Sequence, residues 1–378
     1  MNRTKRIVST FVPGLLTAFP LMLGISLANV AHAGPIGTVV PTISAGDLNG
    51  TPTDSPTLRI DPNLATSPFS GVVSVNIRYN GNSFICSGTL VSTRHVVTAG
   101  HCLDTTGNGT LVNIAQAGND VRVVFNASTV VGDPGRAIIT ATSVSMSPTF
   151  QGFGNCPYPT TTDFCVNDDI GVITMGQDAP ADAKIYRAFT GNLTTGQLIT
   201  LVGYGRSGDG INGFTIGPDF RVKRTGQNIM DLFDLDDEQH FTGGPREVWY
   251  ADFDGNGQDT FCTLNNVCTP ILANDKETTL GGGDTGGPAF LFQDNEYFLV
   301  GNGTFQGTFQ GQLPGTFGTY FGGMLLSPYT GYLEDATGGA IVTIGGNGTT
   351  EVPGPATYAL MLAGLGLVGA AARRRKGK

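Results

Sequence analysis

The sequence predicts an all-β protein with many turns. Only 13% of its 378 residues are charged, whereas 56 are glycine. Along most of the chain, short apolar runs alternate with clusters of Gly, Asn, Thr and Pro. Because strands are short and bounded by turn-forming residues, this pattern favours β-sheet over helix. The length allows two or three average domains, although all-β units often run long as single domains.

The strand candidates begin with a hairpin. Alternating apolar residues start at Val72 and resume at Phe84 after an Asn-Gly-Asn turn at 80–82. Near the end of the body, residues 327–334 predict one short helix. The further strand candidates, in chain order, are residues 95–98, 121–125, 137–144, 170–175, 198–204, 297–300 and 319–326.

The charge balance argues against a nucleic-acid partner. The net charge is -9, and the one dense basic cluster stands at the extreme C-terminus. Neutralising phosphates needs clustered Lys and Arg across a binding face.

The N-terminus predicts a secretory signal over residues 1–33. Basic residues precede an apolar run, and Ala31-His32-Ala33 offers small residues at both cleavage-site positions of a signal peptidase. The alternative is a retained membrane anchor. Export would place the six cysteines in an oxidising compartment, so we expect three disulfides, with fifteen pairings open from sequence alone. Residues 34–59, mostly small and polar, are predicted to be a linker or pro-segment.

The C-terminal residues 346–378 form a segment of different character. An almost uncharged run at 356–372 is followed by Arg373-Arg374-Arg375-Lys376. This run is about as short as a bilayer-spanning helix can be, and its basic flank would hold the end in the cytoplasm. The arrangement resembles the PEP-CTERM sorting signal of Gram-negative bacteria, with Gly354 where that family usually has Glu. The resemblance implies an exosortase partner and a secreted or cell-surface protein that contacts the inner membrane through this helix before processing. A plain membrane anchor is the alternative.

Three segments together supply the side chains that nucleophilic catalysis needs. His101 ends an apolar strand in Thr-Ala-Gly-His-Cys, and Cys86, sixteen residues before Cys102, predicts a disulfide that fixes the turn. A general base needs such a fixed backbone. Asp168 and Asp169 open a second apolar strand, and either has the chemistry to orient the histidine. We favour Asp169, since it directly precedes the alternating strand whereas its neighbour points the other way.

The third segment is Gly-Gly-Gly-Asp-Thr-Gly-Gly-Pro at 281–288. Its glycines permit a tight turn in which the N–H groups of Gly283 and Thr285 converge as an oxyanion hole. The Thr285 hydroxyl is the candidate nucleophile, which completes the order His, Asp, hydroxyl.

On these residues the chain resembles the trypsin and chymotrypsin family of serine endopeptidases. The resemblance covers residues 60–345 and includes Gly203-Tyr204-Gly205 and Gly318-Thr319-Tyr320. It implies two packed antiparallel β-barrels, at about 60–180 and 181–345, with a short C-terminal helix and the site between the barrels. It also implies that His101, Asp169 and Thr285 form the catalytic triad, and that the substrate is a protein or peptide.

The sequence departs from that family at four positions. Thr279 stands where trypsins have the Asp that selects Arg or Lys, and Gly281 replaces a common cysteine. No Ile-Val-Gly-Gly activation site exists, and Arg59-Ile60 is the nearest substitute. We therefore predict cleavage after Arg59, with the freed amine of Ile60 pairing with Asp284. The fourth departure is threonine as the nucleophile, which predicts low activity.

An acidic loop alternates oxygen ligands as calcium loops do. Asp252, Asp254 and Asn256 are the candidate ligands of a structural calcium ion, and an acidic surface turn is the alternative interpretation. A second acidic stretch, 231–238, is predicted to be a solvated loop. We expect no required cofactor. The remaining cysteines are spaced for local bridges, namely Cys156 with Cys165 and Cys262 with Cys268.

The sequence thus predicts a secreted endopeptidase that acts through an acyl-enzyme. One alternative is a pseudoprotease, a binding or scaffold protein of the extracellular matrix on the same fold, whose triad has decayed at Thr285. Another is a structural protein of the matrix, against which the retained His101 and Asp169 argue.

Overall fold

The computed structural model describes residues 43–126, 136–309 and 311–345. The predicted signal peptide and sorting segment lie outside them. So do residues 34–42 of the predicted linker and the predicted membrane helix. Across the described ranges, every helix is too short or too polar to cross a bilayer.

The first unit is a closed barrel of six strands in the order β1-β2-β3-β6-β5-β4. Asn80 and Gly81 join the first two strands, and both have positive φ, as a tight hairpin turn requires. The strands are β1 (Val72–Tyr79), β2 (Asn82–Leu90), β3 (His95–Thr98), β4 (Asp120–Asn126), β5 (Arg136–Met146) and β6 (Gly171–Met175).

Alternation along these strands fills the barrel. Val73, Val75 and Ile77 of β1 pack in one core cluster with Val121 and Val123 of β4. Val72, one residue out of phase, belongs to a different cluster that contains residues of both units. The period of two therefore packs one face of β1 inside the barrel and leaves the other free to contact the second unit.

The second unit is a nine-stranded, mostly antiparallel sheet. Its main path runs β11-β8-β14-β15-β16-β13-β12, and the fully buried Trp249 lies in its core beside Phe321. The strands are β7 (Ala188–Phe189), β8 (Gln197–Gly203), β11 (Arg224–Met230), β12 (Leu232–Leu235), β13 (Arg246–Asp252), β14 (Pro288–Gln293), β15 (Glu296–Gly307), β16 (Tyr320–Leu325) and β17 (Thr343–Ile344), with a separate hairpin of β9 (Ser207–Asp209) and β10 (Gly213–Ile216).

Two short helices complete the fold. α1 (Thr260–Asn265) is capped by Asp259, whose side chain accepts the N–H of Cys262. α2 (Thr330–Thr337) follows a 3-10 turn at Ser327–Tyr329 and ends at Gly338 in a left-handed conformation. The predicted all-β fold with a short C-terminal helix is confirmed. The first unit closes as a barrel, and the second is observed as a sheet.

Three disulfides join all six cysteines, and each pairing is the local one expected from spacing. They are Cys86–Cys102, Cys156–Cys165 and Cys262–Cys268. The first links β2 to the turn that carries His101.

Residues 43–59, predicted to be part of a linker or pro-segment, pack against the second unit. Ile43 is fully buried among the apolar residues of the sheet. Arg59 is buried in an ion pair with Asp54 and also donates to the backbone carbonyl of Glu277. A segment with few apolar side chains is thus held by one anchor residue and by hydrogen bonds, which composition does not reveal.

Candidate active site

His101 sits in a 3-10 turn at Gly100–Cys102, directly after β3. Asp169 binds it twice. One carboxylate oxygen accepts the backbone N–H of His101 at 2.7 Å, and the other lies 2.6 Å from Nδ1. Since a carboxylate can only accept, Nδ1 carries the proton and Nε2 is left as the basic nitrogen.

The two neighbouring aspartates have different environments. Asp169 is fully buried, whereas Asp168 has a left-handed backbone with φ 63 and lies in a separate acidic pocket. Burial raises the pKa of Asp168 to about 6, against hydrogen bonds from Thr149 and Tyr329. The expected choice of Asp169 as the partner of His101 agrees with this geometry.

Thr285 lies against the disulfide that fixes the histidine turn. Its hydroxyl oxygen is 3.5 Å from Cys86 Sγ and 3.7 Å from Cys102 Sγ, and its backbone carbonyl accepts the N–H of Ser87. Because Cys102 directly follows His101, these contacts place Thr285 near the turn that carries His101.

The turn before Thr285 provides free N–H groups. Within the described ranges, the backbone N–H groups of Gly283 and Thr285 donate to no acceptor. Gly283 has φ 103, and a Cβ there would stand 2.8 Å from the Cα of Gly205, so only glycine fits this turn. The carbonyl of Gly283 points to Ser87 Oγ, which donates to it at 2.9 Å. Both N–H groups are therefore available to an acceptor from outside the chain.

Asp284 holds the turn from behind. Its carboxylate is fully buried and accepts the N–H groups of Gly205 and Gly281 at 2.7 and 2.8 Å. Burial raises its pKa to about 7, against these bonds, the charge of Arg224 and the backbone N–H of Ile43.

In the uncleaved chain, Asp284 has a backbone partner other than Ile60. The N–H that reaches this carboxylate comes from Ile43, which is buried, whereas Ile60 is partly exposed and pairs with Arg224. The peptide bond after Arg59 is also poorly placed for cleavage, since the arginine is buried in its ion pair with Asp54. Sequence gave no signal for Ile43, because a single isoleucine before Ser-Ala-Gly does not resemble the expected activation motif.

Asn302 on β15 is a site residue that the sequence analysis missed. Its Nδ2 donates to the backbone carbonyls of Thr98 and Asp169, each at 3.2 Å, while its Oδ1 accepts the N–H of Met324. A buried amide of the second unit thereby ties together the ends of two first-unit strands at the triad. No local motif marks it, since the two carbonyls to which it donates are more than a hundred residues away.

The predicted specificity residue Thr279 is buried next to the N-terminal segment. Its backbone carbonyl accepts the N–H of Ser44, and the neighbouring Thr278 hydroxyl donates to the Ser44 carbonyl at 2.6 Å. The Thr279 hydroxyl oxygen is buried and has no hydrogen-bond partner in the described part of the chain. This position therefore offers a small polar side chain in place of a carboxylate.

An aromatic side chain flanks the histidine. The Phe153 ring meets the His101 ring edge-on with 5.2 Å between centroids, and its loop is closed by the Cys156–Cys165 disulfide. This loop covers one side of the imidazole with an apolar surface.

The acidic stretch predicted to be a solvated loop is partly buried. Asp231 and Asp237 are buried, and carboxylate oxygens of Asp236, Asp237, Glu238 and Glu247 lie within 4.8 Å of one another. Glu247 accepts the side-chain amide of Asn167 at 2.7 Å, which links this acidic pocket to the strand start that carries Asp169. Burial raises the pKa of Glu247 to about 7.

The candidate calcium loop also folds inward. Asp252 and Asp254 are buried, and Asp259 is the third carboxylate whose oxygen lies within 4.8 Å of theirs. Asn256, the other predicted ligand, is exposed at a turn with φ 53.

Two family models match parts of the chain. Residues 64–215 match the family model described as Trypsin, and residues 351–376 match the PEP-CTERM protein-sorting motif. A search of the curated proteins found no match. The sorting motif indicates export and sorting to the cell surface in Gram-negative bacteria.

Proposed function

The chain carries a trypsin-family domain and a PEP-CTERM sorting motif, and from this premise we propose that it is an exported endopeptidase with threonine as its nucleophile. Thr285 would attack the scissile carbonyl and form an acyl-enzyme, with His101 as general base and Asp169 as the residue that orients it. The observation that carries the proposal is the double hydrogen bond from His101 to Asp169, next to a disulfide that also contacts the Thr285 hydroxyl.

In the first half of the reaction, a bond from Thr285 Oγ1 to the carbonyl carbon replaces the peptide bond, and the hydroxyl proton passes through His101 to the leaving amine. Nε2 of His101 accepts the proton of the Thr285 hydroxyl as Oγ1 bonds to the carbonyl carbon. The carbonyl oxygen becomes an anion, for which the free N–H groups of Gly283 and Thr285 are the donors. The imidazolium then gives its proton to the leaving amine, and the peptide bond breaks.

The second half repeats these roles with water. His101 takes a proton from water, the hydroxide oxygen bonds to the acyl carbon, and Thr285 Oγ1 leaves with the proton returned. Throughout, the Asp169 carboxylate stabilises the imidazolium that forms twice in each cycle.

The methyl group of Thr285 sets the expected rate. The residue is buried, and an extra methyl in a packed site typically costs about 1–3 kcal/mol. With about 1.4 kcal/mol per factor of ten, the enzyme is expected to be about five- to a hundredfold slower than its serine variant.

The substrate class is a protein or peptide, which a trypsin domain implies. With Thr279 buried at the position of the specificity residue, we propose that cleavage does not require Arg or Lys in the substrate. Export as a sorted surface protein implies processing by an exosortase.

A general protein-substrate assay on the protein purified from cells that export it tests the proposal. We expect slow proteolysis by the wild type, faster proteolysis by Thr285→Ser, and none by Thr285→Ala or His101→Ala. His240→Ala, which alters an exposed histidine, is the matched control and keeps wild-type activity. A wild type as inactive as Thr285→Ala, together with an inert Thr285→Ser, would support the alternative of a pseudoprotease.

A further inference from the structure

The loop after β13 gathers acidic side chains in the interior of the second unit. Asp231, Asp252, Asp254 and Glu277 are all buried, and Asp259 is half-buried beside them. None of the ion pairs among the described residues involves any of these five. So much unbalanced negative charge in an interior requires either bound protons or a cation.

Asp254 differs from Asp252 and Asp259 because, among the described residues, its Oδ1 has no hydrogen-bond donor. Asp252 accepts the N–H of Phe261 at 2.7 Å, and Asp259 accepts that of Cys262 at 2.7 Å. By contrast, Asp254 is only 4% exposed and its Oδ1, fully shielded from solvent, has no hydrogen-bond partner in the described ranges. A buried carboxylate oxygen without a donor, placed against two other carboxylates, indicates a missing positive ligand.

We propose that Asp252, Asp254 and Asp259 bind one calcium ion. We further propose that this ion holds residues 277–283, the specificity segment of the active site, in place. One oxygen from each side chain lies within 4.8 Å of the others. Two oxygens on opposite sides of a calcium ion are about 4.8 Å apart, because each lies about 2.4 Å from it. The all-oxygen donor set favours calcium over zinc or copper, and the irregular loop favours it over magnesium, which demands a near-ideal octahedron.

One side chain connects this site to the active site. Nδ2 of Asn228 donates to the backbone carbonyl of Asp252 at 2.8 Å and to that of Thr278 at 2.7 Å. Thr278 directly precedes Thr279, the predicted specificity residue, and five residues later comes the oxyanion glycine Gly283.

A second connection runs through Glu277. Its carboxylate accepts the backbone N–H of Asp254. Glu277 is itself buried and directly precedes Thr278 in the chain. Two hydrogen-bonded connections therefore link Asp252 and Asp254 to the segment 277–283, and calcium bound by these aspartates fixes both. Without the ion, repulsion among the carboxylates loosens the same connections, so both stability and activity depend on calcium.

This second half of the inference rests on the proposed peptidase function, whereas calcium binding does not. The experiment therefore starts with binding. The full-length exported protein is stripped with EDTA and titrated with CaCl2 by calorimetry and by thermal unfolding. We expect one high-affinity ion per chain and a rise in Tm, neither of which needs a substrate.

Asp254→Asn is expected to weaken calcium binding but to raise the unfolding temperature when calcium is absent. The variant has lost one charged ligand, so its calcium affinity falls at least about tenfold. In EDTA it has also lost the repulsion, so it unfolds at a higher temperature than the wild type. Asp259→Asn is the second variant and also loses calcium affinity. Asp335→Asn, an exposed change on α2, is the matched control, in which the calcium response is unchanged.

The outcomes separate the two claims. If the wild type shows no calcium-dependent rise in Tm, or if Asp254→Asn and Asp259→Asn keep the full response, the site is refuted. If calcium binds but proteolysis is equal in calcium and in EDTA, the coupling to the specificity segment is refuted. If calcium binds and stabilises while no variant cleaves any substrate, the proposed function fails and the calcium site stands.

Discussion

Asp169 uses both of its carboxylate oxygens on one residue, the backbone N–H and the Nδ1 of His101, at 2.7 and 2.6 Å. The hydrogen bond from the backbone N–H therefore fixes the position of His101, and the hydrogen bond at Nδ1 fixes the tautomer of its ring. Asp168, the adjacent residue, faces Glu238 and Tyr329 instead. These two aspartates form a matched pair for experiment, since they differ by one position and lie in different environments.

Asp169→Asn should lower kcat by about 10⁴-fold, because the amide donates to the ring and selects the wrong tautomer. Asp168→Asn should change kcat by less than about tenfold. Steady-state kinetics on a common peptide substrate measure both, and circular dichroism checks that each variant folds. Equal losses in the two variants would mean that Asp169 has no special role.

Asn302→Ala should destabilise the protein and slow the reaction together. Removing the amide takes one hydrogen-bond donor from each of the buried carbonyls of Thr98 and Asp169, and a lost buried partner typically costs about 1–3 kcal/mol. We expect kcat to fall while KM stays within about twofold, since the amide positions the triad and does not contact the substrate. Denaturant unfolding and kinetics are measured beside Asn212→Ala, an exposed asparagine. A loss of stability with unchanged kcat would make Asn302 purely structural.

Stability in EDTA should fall with rising pH because of Asp237. Burial raises its folded-state pKa to about 8, far above the usual value of about 3.9. A carboxyl with a raised pKa contributes stability that is complete below about pH 4 and is lost as pH rises through about 8. The titratable groups around it are Asp168, Asp236, Glu238, Glu247, Tyr158 and His240.

Asp237→Asn removes this ionisation, so at pH 9 the variant should be more stable than the wild type by at least about 1.4 kcal/mol, the equivalent of one pKa unit. Urea unfolding between pH 5 and 9 measures the difference, and Asp335→Asn, an exposed change on α2, should follow the wild-type curve. Parallel curves for the wild type and Asp237→Asn would show that this carboxyl titrates normally.

A chain that begins at Ile43 should be more active than one that keeps the preceding residues. Cleavage there would replace the peptide N–H beside Asp284 with an ammonium group, and a charge-assisted bond is roughly twice as strong as a neutral one. The stronger bond would fix the turn that carries Gly283 and Thr285. A protease recognition sequence placed before Ile43 tests this, with the same sequence placed before Ile60 as the control. Higher activity from the Ile60 terminus would instead support the pairing of Ile60 with Asp284 predicted from sequence.

The sequence predicted the parts of the site that are carried by local motifs. His101, Asp169 and the 281–288 turn each lie in a short sequence motif. The residues of each motif indicate both the chemistry of the site and the local backbone conformation. The same holds for the three disulfides, whose partners are close in sequence.

Contacts between distant segments were not predictable. Asn302 reaches Asp169 across 133 positions, and Ile43 reaches a turn more than two hundred residues later. β11 (Arg224–Met230) and β13 (Arg246–Asp252) were missed because charged and polar residues interrupt their apolar alternation. Arg224, at the start of the first, is nevertheless fully buried. Long-range pairing, which overrides local preference in sheets, determines these elements.

Covalent labelling of Thr285 tests the central claim most directly. The exported protein is treated with a fluorophosphonate, which bonds to an activated hydroxyl oxygen and releases fluoride, and the modified residue is found by peptide mass spectrometry. We predict slow labelling of the wild type at Thr285, faster labelling of Thr285→Ser at the same position, and none in His101→Ala. If the wild type stays unlabelled while Thr285→Ser reacts, or if the label lies on another residue, threonine is not the nucleophile of this protein.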